Sequence, residues 1–426
     1  MSSTNNLMER IVEQDNCRRA YKRVMANKGA PGMDSITIED FPNHLRARWP
    51  YIRQQLLDGT YKPRPVRRVP IPKQDGGTRN LGIPTLTDRF IQQVILQILT
   101  PIFDPTFSDS SFGFRPRRSA HAAVEKARQH IEKGYTTVVD LDVEKFFDTV
   151  NHDRLMARLA QRIEDKRLLR LIRRYFAAGI LANGIYVRTP MGTPQGGPLS
   201  PLLANVVLDE LDRELEWRGH RFCRYADDCN IYVRTPRAGE RVMQSMTRFI
   251  EKKLKLRVNQ EKSAVGKPNT RRFLGFSFYW RKGKTRIAVA QKTKQRLTRT
   301  IRELTSRRRN NRTLDDRIRL INQYLTGWIA YFSLADAASF LEEVDGTLKR
   351  RLRMGIWKQW KTVRTRYRNL RNLGLSHTNA LKYANTRKGS WRIAGSAILT
   401  TTLTNRYFKE RGLLPLVETY QRLRAC

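Results

Sequence analysis

The sequence predicts an α+β protein in which strands and helices mix up to about residue 280 and helices alone follow. A run rich in β-branched residues, 135–143, has the composition of a buried strand. Apolar residues at helical spacing come after that run and continue alone beyond residue 290. Hydrophobic residues make up 40% of the 426-residue chain, which is enough to build the cores of two or three domains.

The elements of the mixed part follow from local patterns. A helix is predicted from about Asp153, and a second from Ser200-Pro201, an N-cap residue followed by proline in the first turn, with Gly219 as its C-cap. Residues 221–225 and 229–233 read as the two strands of a hairpin. The first helix rests on one apolar stripe: Leu155, Leu159, Ile163, Leu168, Leu171, Ile172 and Tyr175.

The helical part begins near residue 290 and carries a long apolar stripe. SRRRNNR (306–312) reads as a loop between two of its helices. The stripe consists of Ile318, Ile321, Leu325, Trp328 and Phe332, with Tyr324 and Tyr331 beside it. A place in the core is the interpretation that we favour for these aromatic residues.

The charge of the chain predicts a polyanionic partner. The formal net charge is +43, and residues 281–426 hold 34 Lys+Arg against 9 Asp+Glu. An enzyme of small neutral metabolites does not need such a field, so nucleic acid is the leading partner and an anionic membrane the competing one. No apolar run reaches the ~18 residues of a spanning helix, and the N-terminus lacks the pattern of a signal peptide. The four cysteines have no zinc-binding spacing, and a reduced, cytoplasmic protein is predicted.

The hairpin carries two adjacent carboxylates, Asp227 and Asp228, at its tip. Adjacent like charges repel, and a divalent cation relieves that repulsion. Mg²⁺ prefers oxygen ligands and takes one or two carboxylates together with substrate phosphates, which is typical of phosphoryl transfer. The plainer interpretation is a turn, because Asp is a common turn residue.

A two-metal site needs a further carboxylate, because its ions lie about 3.5–4 Å apart and share a bridging acid. Asp140 and Asp142 lie on one face of the predicted strand 135–143. Pairing of that strand with the hairpin would bring one of them beside Asp227 and Asp228. The alternative for a strand Asp is an edge position facing water.

The order of these motifs resembles that of reverse transcriptases, specifically the proteins encoded by group II introns and most closely the compact bacterial class C members. The likeness covers nearly the whole chain. Four motifs carry it in order along the chain: an Asp in the strand 135–143, T-P-Q-G-G-P-L-S-P (193–201), Tyr225-Ala226-Asp227-Asp228 and L-G-F (274–276). Four further segments extend it: A-N-K-G-A-P-G-M-D (26–34), I-P-K-x-x-G-G-x-R (71–79), F-G-F-R-P (112–116) and I-N-Q-Y-L-T-G-W-I-A-Y-F (321–332).

The resemblance implies a right-hand polymerase: fingers and an antiparallel palm sheet with helices, then an α-helical thumb and a basic C-terminal DNA-binding region. The implied boundaries are 1–40 for an N-terminal extension, 41–284 for fingers and palm, 285–365 for the thumb or maturase domain and 366–426 for the DNA-binding region. The chain shows no trace of the Cys- and His-rich H-N-H nuclease of longer members. We therefore expect a primer supplied from elsewhere, such as a replication fork.

The resemblance also implies the catalytic residues. In the family, the first catalytic Asp stands five residues before an aromatic residue that screens the sugar 2′ position. Asp142 followed by Phe147 fits, whereas Asp140 would put Lys145 there. Asp142, Asp227 and Asp228 are thus the implied ligands of two Mg²⁺ ions, which Mn²⁺ can replace, and Phe147 is the implied steric gate. Its alternative is an ordinary core aromatic.

Other roles carry over to further positions. The implied nucleotide-binding residues besides Phe147 are Lys73, Arg79, Gln195, Gly196 and Lys262, and the implied primer grip is Phe273, Leu274, Gly275 and Phe276. Basic residues interleave with Trp357, Trp360 and Tyr367 in 347–372 and suggest nucleic-acid contacts at Arg350, Arg351, Arg353, Lys358 and Lys361. A separate segment, TRKGSWR (386–392), resembles a phosphate-contacting loop and adds Arg387 and Lys388. The alternatives are solvated surface charges, a plain core strand at 273–276, and core positions for the two tryptophans.

The implied function is RNA-directed DNA polymerisation combined with a maturase role. The expected partners are an RNA template with a DNA or RNA primer, dNTPs, group II intron RNA and target DNA. Two alternatives stay open: a maturase that acts mainly as an RNA-binding splicing factor, and a domesticated reverse transcriptase in DNA repair or phage defence.

Overall fold

The computed structural model describes residues 4–72, 78–144, 146–182, 185–187, 196–306 and 313–425. The chain divides into two compact units, Met1–Arg271 and Arg272–Cys426. Helices and antiparallel strands mix in the first unit, and the described part of the second is helical apart from one hairpin. The predicted α+β class is confirmed.

The first unit contains ten of the described α-helices and eight strands. Its helices are α1 (Leu7–Ile11), α2 (Gln14–Ala26), α3 (Phe41–Leu57), α4 (Leu86–Phe103), α5 (Ala120–Glu132), α6 (Phe146–Thr149), α7 (His152–Ala160), α8 (Lys166–Ala177), α9 (Ser200–Trp217) and α10 (Pro236–Phe249). Its strands are β1 (Val66–Pro72), β2 (Thr78–Ile83), β3 (Thr137–Asp142), β4 (Ile180–Ala182), β5 (Ile185–Val187), β6 (Arg221–Tyr225), β7 (Asp228–Val233) and β8 (Ala264–Gly266). A 3₁₀ turn (Asp104–Thr106) follows α4, and a π-helical turn (Ile250–Leu254) follows α10.

The second unit opens with a hairpin and continues with helices. Its strands are β9 (Phe276–Arg281) and β10 (Lys284–Val289). Its described helices are α11 (Gln291–Leu304), α12 (Leu314–Phe332), α13 (Ala338–Gln359), α14 (Val363–Asn372), α15 (His377–Ala384), α16 (Ser390–Ala394), α17 (Ala397–Thr402), α18 (Asn405–Glu410) and α19 (Leu416–Ala425).

The sheet that positions the predicted carboxylates is antiparallel throughout, with the order β6-β7-β3-β8. Helices α9 and α10 pack on the face that carries Val139 and Leu141. Helix α5 packs on the opposite face, where His130 meets Tyr232. Because side chains alternate along a strand, Asp142 and Asp228 share the α5 face but lie at its other end. A second sheet, in the order β2-β1-β4-β5, combines antiparallel pairs with one parallel pair, β1 with β4.

The helix predicted from Asp153 is interrupted. Helix α7 ends at Ala160, and α8 starts after Asp165, whose carboxylate accepts hydrogen bonds from the backbone N–H groups of Arg167 and Leu168. Asp favours such an N-cap over a helix interior, since its short side chain binds backbone donors. The apolar stripe is nevertheless buried as predicted.

The second unit also confirms its predicted stripe. Ile318, Ile321, Leu325, Trp328 and Phe332 are all buried on one side of α12. Of the predicted loop 306–312, residues 307–312 lie outside the described residues. None of the described helices is long and apolar enough to cross a membrane.

The boundary between the two units lies between Arg271 and Arg272, before the β9–β10 hairpin. The hairpin belongs with the helices that follow it: the Asp336 N–H donates to the Ile287 carbonyl, and the Tyr331 hydroxyl donates to the Leu274 carbonyl. The division into four functional domains stays a prediction.

Candidate active site

Two of the predicted carboxylates face each other across neighbouring strands. Asp142, the last residue of β3, is the direct partner of Asp228, the first residue of β7. Like charges in directly opposite positions destabilise a sheet. Lys262 offsets part of this repulsion, because its Nζ lies 3.5 Å from Asp142 Oδ2. The offset is only partial, since the Lys262 side chain is 66% exposed to solvent.

The third carboxylate, Asp227, lies in the turn between β6 and β7. Tyr225 pairs with Asp228, so Ala226 and Asp227 form a two-residue turn. Ala226 has φ +58°, in the left-handed region that residues with a Cβ rarely adopt. A backbone of this kind persists only where the surroundings fix it.

The F-G-F-R-P segment braces this turn. The Phe112 N–H donates to the Arg224 carbonyl over 2.8 Å, and a Cβ added to Gly113 would lie only 2.3 Å from the Ala226 nitrogen. The Asn205 amide of α9 donates to the Gly113 carbonyl over 2.9 Å. Only glycine at 113 allows the backbone to approach the turn this closely.

Arg224 anchors the same turn from inside the protein. Its side chain is fully buried and forms a bidentate ion pair with Asp212, at 2.7 and 2.5 Å. The remaining guanidinium bonds go to Asn205 Oδ1, the Ala226 carbonyl and Ser111 Oγ, at 2.8–2.9 Å. Burial disfavours the charged form of both side chains. At Asp212 this effect prevails and raises the pKa of the carboxyl. At Arg224 the attraction and hydrogen bonds of Asp212 outweigh burial, so the pKa of the guanidinium is raised.

The sequence reasoning missed Arg224, although a signal was present. Asn205 and Asp212 are seven residues apart and share one face of α9, inside an otherwise apolar stripe. Arg224 stands in a strand whose neighbours Phe222 and Cys223 are buried. Polar residues of both kinds at buried positions indicate a paired network.

A cavity of about 520 Å³ in the first unit is lined by two of the predicted nucleotide-binding residues, Phe147 and Gly196. Phe147 is half-buried and stacks edge-to-face on Phe146, with ring centroids 5.3 Å apart. Gly196 has φ +117°, and an added Cβ would lie 2.4 Å from the Gly82 carbonyl oxygen. Two cations that the sequence reasoning missed, Arg23 and Arg89, line the same cavity.

Three of the predicted nucleotide-binding residues fall wholly or partly outside the described part of the chain. Lys73 and Gln195 lie outside the described residues. Arg79 belongs to β2, opposite Ile71, but its side chain also lies outside the described part of the chain. Their roles stay predictions.

The carboxylates suit a hard divalent cation by donor type, since Mg²⁺ takes carboxylate oxygens and water. Asp142 and Asp228 share a sheet face, and Asp227 directly precedes Asp228 in the sequence. Within the described residues, however, no three His, Cys, Asp or Glu side chains converge as a metal-binding group. The facing pair Asp142–Asp228 is the part of the predicted three-carboxylate centre that the fold brings together.

Comparison with known proteins identifies the family. Residues 71–278 match the family described as reverse transcriptase (RNA-dependent DNA polymerase), and residues 294–374 match the group II intron maturase-specific domain. Over 299 residues the chain is 32% identical to the protein YkfC of Escherichia coli strain K12, which covers 61% of this chain and 78% of YkfC. The chain belongs to the group II intron reverse transcriptase and maturase family.

This reverse transcriptase is also similar to longer proteins over part of their length. It is 42% identical over 197 residues to the group II intron-encoded protein LtrA of Lactococcus lactis subsp. cremoris, which covers 46% of this chain and 32% of LtrA. A chain of a partial Cas6-RT-Cas1–Cas2 complex matches with a TM-score of 0.38 and 23% identity, over 57% of this chain and 42% of that one. The predicted family and its enzyme class, RNA-directed DNA polymerase, are confirmed.

The predicted primer grip of the reverse transcriptase lies in the second unit as a tight turn. Phe273 and Phe276 exchange backbone hydrogen bonds of 2.9 Å, and Leu274 and Gly275 between them have φ +53° and +85°. Both phenylalanine rings are buried. The Tyr331 hydroxyl and the Thr293 hydroxyl bind the carbonyls of Leu274 and Gly275, each at 3.0 Å. Leu274 and Gly275, at the tip of the turn, are only partly buried, and the primer-grip role stays a prediction.

The predicted nucleic-acid contacts in the second unit separate into two groups. Arg353 is buried and donates to the Leu403 carbonyl over 2.8 Å, so it stabilises the fold and is not a surface contact. Arg351 is half-buried and bonds Thr305, while Arg350 stacks on the Trp391 ring at 4.1 Å. The exposed members are Lys358, Lys361, Arg387 and Lys388. Of the two tryptophans, Trp357 is buried and Trp360 is half-buried.

Proposed function

We propose that the protein adds dNTPs to the 3′-hydroxyl of a DNA or RNA primer on an RNA template. We further propose that it binds group II intron RNA as a maturase in splicing and retromobility, with target DNA as a partner. The observation that carries the polymerase proposal is the strand register. It places Asp142 directly opposite Asp228, and Asp228 follows the turn that contains Asp227. The maturase-specific match at 294–374 supports the second role. Cys17, Cys223 and Cys229 are free thiols, in keeping with a reducing bacterial cytosol.

Different residues of the chain have different roles in the proposed reaction. Asp142, Asp227 and Asp228 would hold two Mg²⁺ ions, whose chemistry when bound would be to lower the pKa of the attacking hydroxyl and to offset the charge of the leaving pyrophosphate. Lys262, beside Asp142, supplies a cation near that leaving group. Phe147 and the Gly196 backbone form walls of the cavity for the incoming nucleotide. The Arg224 network keeps the Asp227 turn in one conformation, and such positioning is a large part of catalysis in phosphoryl transfer.

Primer extension on an RNA template tests the polymerase proposal directly. With Mg²⁺ and all four dNTPs, the purified chain is expected to lengthen a labelled primer in a template-dependent way. A chelator is expected to stop the reaction, and added Mg²⁺ to restore it. Intact, folded protein that gives no extension on any RNA template would exclude the polymerase role.

Replacing Phe147 by Ala is expected to admit ribonucleotides. Removal of the ring frees space in the cavity where a 2′-hydroxyl would otherwise clash, so the preference for dNTP over rNTP should fall by roughly ten- to a hundredfold. The measurement is the ratio of kcat/KM for dNTP and rNTP in primer extension. A purely structural Phe147 would lower the unfolding temperature and both kcat/KM values while the ratio stayed constant.

A further inference from the structure

A groove of about 610 Å³ in the second unit lies outside every predicted site. Strands β9 and β10 form one wall, and the start of α13 and the end of α19 form the other. We call it the hairpin groove and define it by Arg281, Lys282, Lys284 and Arg286 on the strands, with Asp336 and Arg424 opposite.

The register of the hairpin directs its cations into this groove. Lys284 pairs with Arg281, and Arg286 pairs with Tyr279, so these four side chains share one face. Thr285 and Ile287 alternate with them and are buried. The hairpin is thus held by its apolar face, and the exposed face concentrates positive charge.

The single acidic side chain among the described lining residues is already engaged. The Tyr279 hydroxyl donates to Asp336 Oδ2 over 2.8 Å, and Arg424 donates to Oδ1 over 2.7 Å. Burial disfavours the charge on Asp336, but these two bonds outweigh it and lower the pKa of Asp336. Within the described chain, none of Arg281, Lys282, Lys284 and Arg286 forms an ion pair with a carboxylate.

The opposite wall adds to the positive potential. Helix α13 begins at Ala338 without a side-chain cap, and Ala338 and Ser339 line the groove. The first-turn N–H groups of a helix carry the positive end of its dipole and bind anionic oxygens. The groove therefore combines guanidinium, ammonium and backbone N–H donors, all of which suit phosphate oxygens.

We propose that the hairpin groove binds the phosphodiester backbone of an RNA strand. Lys284 and Arg286 are two residues apart on β10, so their Cα atoms are separated by roughly 7 Å. This separation is too long for one phosphate and suits successive phosphates of a strand. RNA is the expected strand because Asp336, Ala338 and Ser339 fall inside the maturase-specific match. In this respect the inference rests on the proposed function and extends it to a further contact surface.

The test compares two triple variants of the full chain that lose the same charge. The groove variant is Arg281→Gln, Lys284→Gln, Arg286→Gln, and the control is Lys252→Gln, Lys253→Gln, Lys267→Gln, in which all three lysines are exposed in the first unit. Binding to a defined RNA hairpin and to a DNA hairpin of the same sequence is titrated over a range of salt. The slope of log K against log salt should fall by about 2–3 in the groove variant and by less than about 1 in the control. At 0.1 M salt, the groove variant should lose roughly tenfold in affinity for each contact removed.

The outcomes separate this inference from the polymerase proposal. Equal slope changes in both variants, or an effect on DNA alone, would overturn the groove assignment, whereas an effect on RNA, with or without DNA, supports it. Primer extension on a short saturating template–primer is measured in parallel. If the unaltered chain extends no primer while the two variants still differ in RNA binding, the polymerase proposal fails and the groove assignment stands.

Discussion

Asp228→Asn is expected to abolish primer extension while the folded protein becomes slightly more stable. The substitution removes one carboxylate ligand and its charge, so extension should fall by at least about a thousandfold. It also removes one of two like charges that face each other between β3 and β7, which should add up to about 1 kcal/mol to the free energy of unfolding without Mg²⁺. A loss of activity joined to a gain in stability is the signature of a functional carboxylate. Extension rates and chemical denaturation of the same preparation measure both.

Asp140→Asn provides the matched control. Asp140 lies two residues before Asp142 on the same face of β3, but it faces Asn230 and not a second carboxylate. Asp142→Asn should therefore behave like Asp228→Asn in extension, and Asp140→Asn should extend primers at close to the normal rate. If the Asp140 variant were the inactive one, the assignment of the first catalytic carboxylate to Asp142 would be wrong.

The same variants separate polymerase from maturase. An Asp228→Asn protein keeps its basic second unit, so its affinity for intron RNA should be unchanged. If it still promotes intron splicing, the two roles use different parts of the chain. A loss of splicing along with extension would show that the maturase role needs the carboxylate sheet.

The sequence was sufficient to predict the hairpin and its carboxylates because these depend on local patterns. Alternation within 135–143 and 221–233 determines which residues share a face, and the observed register agrees with it. Local patterns do not show which distant groups meet. The Arg224 network joins residues from 111 to 226, and its partners could not be chosen from the many polar residues of the chain. The burial of Arg353 could not be predicted for a related reason, since its contacts with Leu403 and Phe408 join residues about fifty positions apart.

Removal of Arg224 is expected to lower both the stability of the protein and the rate of catalysis. Arg224→Met leaves Asp212 charged and buried without its partner, so the free energy of unfolding should fall by about 3–5 kcal/mol. Adding Asp212→Leu removes the stranded charge, and most of that loss should be recovered. Arg173→Met serves as the control, because its ion pair with Asp153 is largely exposed and should contribute at most about 1 kcal/mol.

Catalysis should not recover with stability in the double variant. Arg224 also donates to the Ala226 carbonyl and to Asn205, whose amide in turn holds Gly113 against the turn. Apolar replacements supply neither bond, and the left-handed conformation of Ala226 loses part of the contacts that fix it. We therefore expect kcat for primer extension to stay at least about tenfold below normal in a protein of near-normal stability, with KM for dNTP changed much less. Recovery of kcat together with stability would mean that the ion pair only supports the fold; a persistent defect in kcat would mean that the buried arginine positions the catalytic turn.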